Sequence, residues 1–171
     1  MIGKREKNIN KNCTNTGSSL NVSSNPYLTG MEKEKIIQKT IEINAPIDKV
    51  WRVFTDPTVT MHMGGEYVTD WKVGSSLGWR GKDGNMYTSG IILEIEKEKL
   101  IKHNLFNIGQ NKKILSVITY RFIDKDGQTS LNAREELDYE MTDEQYAESM
   151  EGWDFALASV KETAEKFNSQ K

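Results

Sequence analysis

An apolar stripe between Thr142 and Phe167 constrains the fold of this 171-residue chain more than any other feature. Apolar side chains recur there at alternating steps of four and three residues, which places them on one side of a helix of about seven turns. They are Tyr146, Met150, Trp153, Leu157, Val160, Ala164 and Phe167. Thr142, followed three residues later by Gln145, predicts a capping box at the start of this helix. A helix this long with one apolar side needs a broad surface on which to pack.

The residues before this helix form a series of predicted strands separated by turn signals. The strands are predicted at 35–44, 67–71, 76–80, 86–96, 100–108, 114–123 and 129–139. Turn residues such as Asp83-Gly84 and the short, regular spacings indicate that consecutive strands are antiparallel neighbours. The predicted fold class is therefore α+β, with a curved antiparallel sheet of about seven strands wrapped around the long C-terminal helix.

A short helical segment is predicted after the first strand. Pro46 fits the first position of a helix, and Trp51 and Phe54 give that helix an apolar side. Asp56-Pro57 predicts its end, because the residue before a proline disfavours helical geometry. The predicted order is one strand, a helical segment, six strands and the long helix.

Alternation within the strands predicts one dry and one wet face of the sheet. The apolar residues predicted to share faces are Ile91, Leu93 and Ile95 in one strand, Ile118, Tyr120 and Phe122 in another, and Leu131 with Ala133 in the last. Polar residues such as Glu94, Arg121 and Arg134 fall on the opposite face. We expect the dry face to lie against the long helix.

The composition is that of an ordinary soluble domain, with 36% hydrophobic and 28% charged residues. Residues 31–171 can form one core, whereas the Asn- and Ser-rich residues 1–30 predict a flexible tail. A net charge of −2 gives no general attraction to nucleic acid, and the apolar runs are too short to span a membrane. The single cysteine, Cys13, allows no intrachain disulfide, so we expect a cytoplasmic location.

Four segments carry motifs in a characteristic order and spacing. They are the strings NAP and VWRVFTDP within 44–57, WKVG at 71–74, GIILEIE at 90–96, and Gly152-Trp153 with Leu157 and Val160 downstream. Together they resemble START-like (SRPBCC) domains, and the most similar branch is the group named for homologues of the activator of the heat-shock protein 90 ATPase. The resemblance runs from about residue 34 to residue 168. Ser75, Lys97 and Asn104 depart from the family pattern.

This resemblance implies a helix-grip fold with a cavity between the sheet and the long helix. Members of the superfamily bind hydrophobic small molecules, some are polyketide-cyclase-like enzymes, and some bind a chaperone. The cavity is expected to have a volume of roughly several hundred cubic ångström. No cofactor is expected.

Aromatic and methionine side chains on the predicted inward faces are the candidate cavity residues. Rings supply contact area, polar tips orient a ligand, and methionines tolerate variation in its shape. The candidates are Trp51, Met61, Met63, Tyr67, Trp79, Ile91, Leu93, Asn104, Phe106, Ile118, Tyr120, Glu135, Met150, Trp153 and Leu157. For the tryptophans, packing in a plain core is the alternative interpretation.

Two residues are candidates for acid–base chemistry. His103 lies in a predicted strand, and alternation from Leu131 and Ala133 carries Glu135 to the inward face. The alternatives are a surface or structurally satisfied histidine, and a glutamate at the open end of its strand. Only His62 and His103 could serve as histidine ligands and no cysteine is near either, so the count excludes a Cys/His metal site.

Three functional hypotheses follow. The sequence favours a non-catalytic carrier or sensor of a hydrophobic small molecule. The second is a protein-interaction module resembling a chaperone cofactor, which predicts an exposed apolar patch. The third is a cyclase- or hydrolase-like enzyme, which requires His103 or Glu135 within reach of a bound substrate.

Overall fold

The computed structural model describes residues 36–107 and 112–169, and the structural statements below refer to those ranges. The predicted tail, residues 1–30, lies outside them. The strands are β1 (Ile36–Ile43), β2 (Gly65–Val68), β3 (Ser76–Gly81), β4 (Gly90–Glu96), β5 (Leu100–Phe106), β6 (Ile114–Asp124) and β7 (Thr129–Leu137). The helices are α1 (Ile47–Thr55), α2 (Pro57–Thr60), a 3-10 turn (Met61–Met63) and α3 (Asp143–Ser169).

The described strands form one seven-stranded antiparallel sheet in the order β1-β7-β6-β5-β4-β3-β2. The predicted order of elements and the α+β fold class are confirmed. The sheet is strongly curved, because the ring of Phe54 lies 4.9 Å from that of Tyr120 on β6 and 6.4 Å from that of Tyr67 on β2. These two strands are four positions apart in the sheet, so its β2 edge must bend toward the middle.

The residue Asp56 joins the two short helices. It ends α1, as predicted, and its Oδ1 accepts a 3.0 Å hydrogen bond from the backbone N–H of Thr58 at the start of α2. Pro57 occupies the first helical turn, where its missing N–H costs nothing. Thr60 closes the unit by donating from Oγ1 to the carbonyl of Val53 at 2.7 Å. These bonds join the short helices into one unit, which packs on the sheet through the contacts of Phe54 with Tyr120 and Phe122.

The long helix α3 begins with the predicted capping box. The Thr142 N–H donates to Gln145 Oε1 at 3.0 Å, and the Gln145 N–H donates to Thr142 Oγ1 at 3.2 Å. Every residue of the predicted apolar stripe is buried or half-buried, with Leu157, Val160 and Ala164 buried most completely. The helix therefore packs along its predicted side.

The register of the sheet fixes which side chains face α3. Ile118 on β6 is paired with His103 on β5 and with Glu135 on β7, so the three side chains share one face. Tyr120 and Ala133, two pairs further along, lie on the same face and belong to the main core. Alternation thus carries Glu135 inward, as the sequence predicted.

Strand β4 departs from the predicted pattern. Its register shifts between Ile92 and Glu94, and such a bulge reverses the alternation of side chains. Ile92 is fully buried, whereas Leu93 is 39% exposed and Ile91 pairs with Asn104 on the face away from α3. The prediction that Ile91, Leu93 and Ile95 share the dry face is therefore wrong for the first two.

None of the helices in the described ranges has the length and apolarity needed to cross a bilayer.

Candidate functional site

A cavity of about 250 Å³ lies between α3 and the curved end of the sheet. Tyr67, Trp79 and Tyr120 line it from the strands, and Phe54 and Met63 line it from the short helices. The residues of α3 that line it are Trp153, Phe155, Ala156, Leu157, Ser159 and Val160. Most of the lining is apolar, and one side is open to solvent beside Phe155, which is 79% exposed.

Small side chains on α3 leave this space open. Ser149, Gly152, Ala156 and Ser159 follow one another at steps of three or four residues, and all four line either the cavity or the groove beside it. Side chains at that spacing lie along one side of a helix. A Cβ at Gly152 would meet no atom within 4 Å. The helix therefore approaches the sheet without filling the space between them.

Aromatic rings in contact with one another form the wall of the cavity. The rings of Tyr67 and Trp79 meet edge to face with centroids 5.0 Å apart. Tyr120 contacts both Phe54 at 4.9 Å and Trp153 at 5.9 Å. Such ring contacts add to the stability gained from burial alone. The wall is thus fixed by packing of rings from five different elements.

Two phenol groups supply polarity inside the cavity. Burial raises the pKa of the Tyr67 phenol. It raises the pKa of Tyr120 well above its usual value, with further contributions from the neighbouring Tyr67 and from the Glu135 carboxylate. Both phenols are therefore neutral at physiological pH, and they hydrogen-bond to each other.

A groove of about 300 Å³ adjoins the cavity on the far side of Trp153. It is lined by Tyr120, Glu135, Ser149, Gly152, Trp153 and Ala156, and three of these residues also line the cavity. Trp153 Nε1 donates a 2.8 Å hydrogen bond to Oε2 of Glu135. The indole thus stands between the two spaces, with a carboxylate on its groove side.

The candidate His103 lies in the interior of the sheet, only 3% exposed. Its Nδ1 is 3.2 Å from the Asn104 carbonyl oxygen, which assigns the proton to Nδ1. Nε2 has no hydrogen-bond partner within the described residues, and neither does Ser116 Oγ. Burial lowers the pKa of His103, opposed in part by the Asn104 carbonyl, so the ring is neutral. The ring lies 6.2 Å from that of Tyr120 but does not line the cavity.

The structure brings six predicted residues together around the cavity. They are Met63, Tyr67, Trp79, Tyr120, Trp153 and Leu157. Glu135 lines the adjoining groove instead. The structure places the remaining candidates elsewhere.

Four of the remaining candidates lie on or near the helices or in the core, and none of them lines the cavity. Trp51 packs edge to face on Phe122 at 5.2 Å, and Ile118 is buried in the same core. Met61 belongs to the 3-10 turn, and Met150 packs on the small cluster around Ile37.

The last four lie on β4 and β5. Asn104 and Ile91 are joined on the face away from α3, where the Ile91 N–H donates to Asn104 Oδ1 at 2.8 Å. Leu93 is exposed after the bulge, and Phe106 is half-buried at a second irregularity of the register.

Sequence reasoning missed five lining residues: Phe54, Phe155, Ala156, Ser159 and Val160. Phe54 and Val160 lie in the predicted apolar stripes of their helices, where nothing separates a core contact from a cavity contact. Small residues such as Ala156 and Ser159 do not form part of the apolar stripe from which the cavity residues were predicted. The spacing of small residues beside the α3 stripe is the one signal that could have indicated them.

Within 36–107 and 112–169, no three His, Cys, Asp or Glu side chains are grouped closely enough to hold a metal ion.

Comparison with protein families gives one match. The model of the family described as Activator of Hsp90 ATPase homolog 1-like protein matches residues 44–165. Among curated proteins, no sequence matches this chain.

Several solved structures share the fold. CalU16 from Micromonospora echinospora is 22% identical, and the match covers 75% of each chain with a TM-score of 0.61. ChR145 from Cytophaga hutchinsonii is 26% identical, with coverage of 80% of this chain and 97% of its own and a TM-score of 0.64. The Aha1 dimer from Colwellia psychrerythraea is 19% identical, with 76% and 96% covered and a TM-score of 0.62.

Proposed function

The chain belongs to the family of Activator of Hsp90 ATPase homolog 1-like proteins, and we propose that it binds a small hydrophobic molecule between α3 and the sheet. Membership agrees with the resemblance seen in the sequence. A fold of this kind hosts many activities, so the proposal depends on the cavity and not on the family.

The observation that carries the proposal is the unfilled, mostly apolar cavity of about 250 Å³. Its volume lies just below the roughly 300–1,000 Å³ typical of small-molecule sites, so the ligand it holds is a small one. The neutral phenols of Tyr67 and Tyr120, which hydrogen-bond to each other, form one polar point at which a ligand is oriented. Rings with a few convergent polar groups are the usual composition of such a pocket.

A carrier or sensor fits the lining better than an enzyme does. The two acid–base candidates, His103 and Glu135, are not among the residues that line the cavity. The buried His103 ring does not line the cavity. The neighbouring ring of Tyr120, 6.2 Å away, does. The part of a ligand that lies in the cavity would therefore meet neutral hydroxyls and rings rather than a proton-transferring group.

Titration with the neutral fluorescent probe N-phenylnaphthylamine tests this proposal. We expect saturable binding, with energy transfer from tryptophan because Trp79 and Trp153 line the cavity. The variant Ala156→Phe should weaken binding, because the larger side chain enters the space that Ala156 leaves open.

Ala158→Phe is the matched control, since Ala158 is exposed and does not line the cavity. It should bind the probe as the parent chain does. Thermal unfolding of both variants separates blocked binding from lost folding. No saturable binding, or equal binding by the two variants, would overturn the proposal.

A second candidate function, docking of another protein, is favoured by Phe155. This side chain is 79% exposed at the mouth of the cavity, and it is the most exposed large apolar residue of the described ranges. Sedimentation velocity over a wide concentration range would test a second copy as the partner, with Phe155→Ser as the comparison. A monomer at all concentrations would exclude self-association.

A further inference from the structure

We propose that the groove beside Glu135 receives the ammonium group of an amphiphilic organic cation whose apolar part lies in the cavity. This inference rests on the proposed function and names the chemical class of its ligand. The groove and the cavity share Tyr120, Trp153 and Ala156, so they lie side by side, and the proposed ligand passes the indole on the Ala156 side. The small side chain of Ala156 marks where the two spaces adjoin.

The groove combines one carboxylate with two aromatic rings. Glu135 lies at its base on β7, flanked by the rings of Tyr120 and Trp153. An ammonium group is attracted both by a carboxylate and by the faces of aromatic rings. Gly152 leaves the helix side of the groove open, since a Cβ there would meet no atom within 4 Å. The arrangement suits a cation with bulky alkyl substituents.

The carboxylate of Glu135 is held in place but not neutralised. Trp153 Nε1 donates to Oε2, and within the described ranges no lysine or arginine forms an ion pair with either oxygen. On the same face of the sheet, β1 contributes Lys39, whose Nζ is 2.8 Å from Asp154 Oδ1. Arg134 lies on the opposite face and pairs with Glu136. Both basic neighbours are therefore engaged with other carboxylates.

The chain segment around the groove adds negative charge. From residue 138 to residue 160 there are seven aspartates and glutamates and no lysine or arginine. The acidic residues are Asp138, Glu140, Asp143, Glu144, Glu148, Glu151 and Asp154. None of these seven lines the groove itself, and Asp154 is paired with Lys39, so the others act at longer range. An excess of charge of one sign near a cleft attracts a ligand of the opposite sign and repels one of the same sign. Fatty acids and other anionic amphiphiles are accordingly disfavoured at this opening.

Three probes with the same alkyl chain test the ligand class: decyltrimethylammonium, decanol and decyl sulfate. Calorimetric titration of the full chain below the micellar concentrations compares them directly. We expect decyltrimethylammonium to bind about tenfold more tightly than decanol, the difference that one cation–π and carboxylate contact supplies. Decyl sulfate should bind most weakly.

Glu135→Gln isolates the charge, because the amide oxygen can still accept the hydrogen bond from Trp153. This variant should lose the preference for the ammonium probe and keep its affinity for decanol. Glu136→Gln is the matched control on the same strand, since it removes an equal charge from the opposite face. It should preserve the preference.

The possible outcomes separate the two proposals. If decanol binds and the ammonium probe binds no more tightly, the cation assignment fails and the proposed function stands. If none of the three probes binds, the proposed function fails. A preference for ammonium that Glu135→Gln leaves unchanged would place the cation elsewhere and would also overturn this assignment.

Discussion

Trp153 Nε1 donates a 2.8 Å hydrogen bond to Oε2 of Glu135, which joins the middle of α3 to β7. The contact lies where the small residues of the helix leave space above the sheet. It fixes the indole as the partition between the cavity and the groove. The same hydrogen bond orients the carboxylate that the cation proposal requires.

Replacing Trp153 by phenylalanine tests the energetic weight of this contact. Phenylalanine keeps a ring against Tyr120 but cannot donate to Glu135. We expect the free energy of unfolding to fall by about 1.5–3 kcal/mol, the usual net value of a hydrogen bond to a charged group. Urea denaturation of Trp153→Phe measures the change, and Glu135→Gln, which retains an acceptor, should lose less. Equal losses in the two variants would show that the hydrogen bond is not the cause.

The neutral, buried His103 predicts a pH dependence of stability. Its pKa in the folded chain is lowered by burial, whereas an unfolded histidine has a pKa near 6.5. Below that value the unfolded chain binds a proton that the folded chain does not, so the free energy of unfolding falls as the pH is lowered. At pH above the unfolded pKa this contribution to stability is fully present.

Urea denaturation between about pH 5.5 and 7.5 measures this slope. In His103→Phe the part of the slope due to histidine should vanish, and the unpartnered Nε2 is removed with it. The matched control is His62→Phe, at the chain's other histidine, which is exposed and meets Phe167 edge to face at 5.2 Å. A slope unchanged in His103→Phe would contradict the assignment of a buried neutral ring.

Replacing glycine by alanine is expected to change the free energy of unfolding in opposite directions at Gly90 and at Gly152. A Cβ at Gly90 would overlap the carbonyl oxygen of Asn104 on the neighbouring strand, so Gly90→Ala should destabilise the chain by about 2–3 kcal/mol. Gly152 lies inside α3 with open space around it, so Gly152→Ala should stabilise by about 0.5–1 kcal/mol. Urea denaturation of both variants gives the signs, and destabilisation by Gly152→Ala would show that its surroundings are not open.

The fold could be predicted because its signals are local and repeated. The apolar stripe of α3 is a local pattern, and so is the capping box formed by Thr142 and Gln145. The inward direction of Glu135 followed from Leu131 and Ala133, because β6 and β7 keep one register along their whole length. On β4, one irregular residue was enough to reverse the pattern for Ile91 and Leu93.

The candidate site could be predicted only in part, because a cavity is defined by how separate elements approach one another. Tyr67 and Tyr120 meet through the curvature of the sheet, which no single strand encodes. Ala156 and Ser159 line the space because they are small, and they lie on α3 outside the stripe of large apolar residues. Trp51 is the opposite case. It lies on the predicted inward side of its helix, yet it packs on Phe122 in the core and does not line the cavity.

Both proposals require that α3 lies over the curved sheet without filling the space beneath it. The indole N–H resonances of the four tryptophans test it directly, because Trp79 and Trp153 line the cavity whereas Trp51 and Trp71 do not. On titration of the isotope-labelled chain with decanol, the Trp79 and Trp153 signals should shift progressively and saturate, with smaller changes at the other two. Four unshifted signals, or shifts confined to Trp51 and Trp71, would contradict the claim.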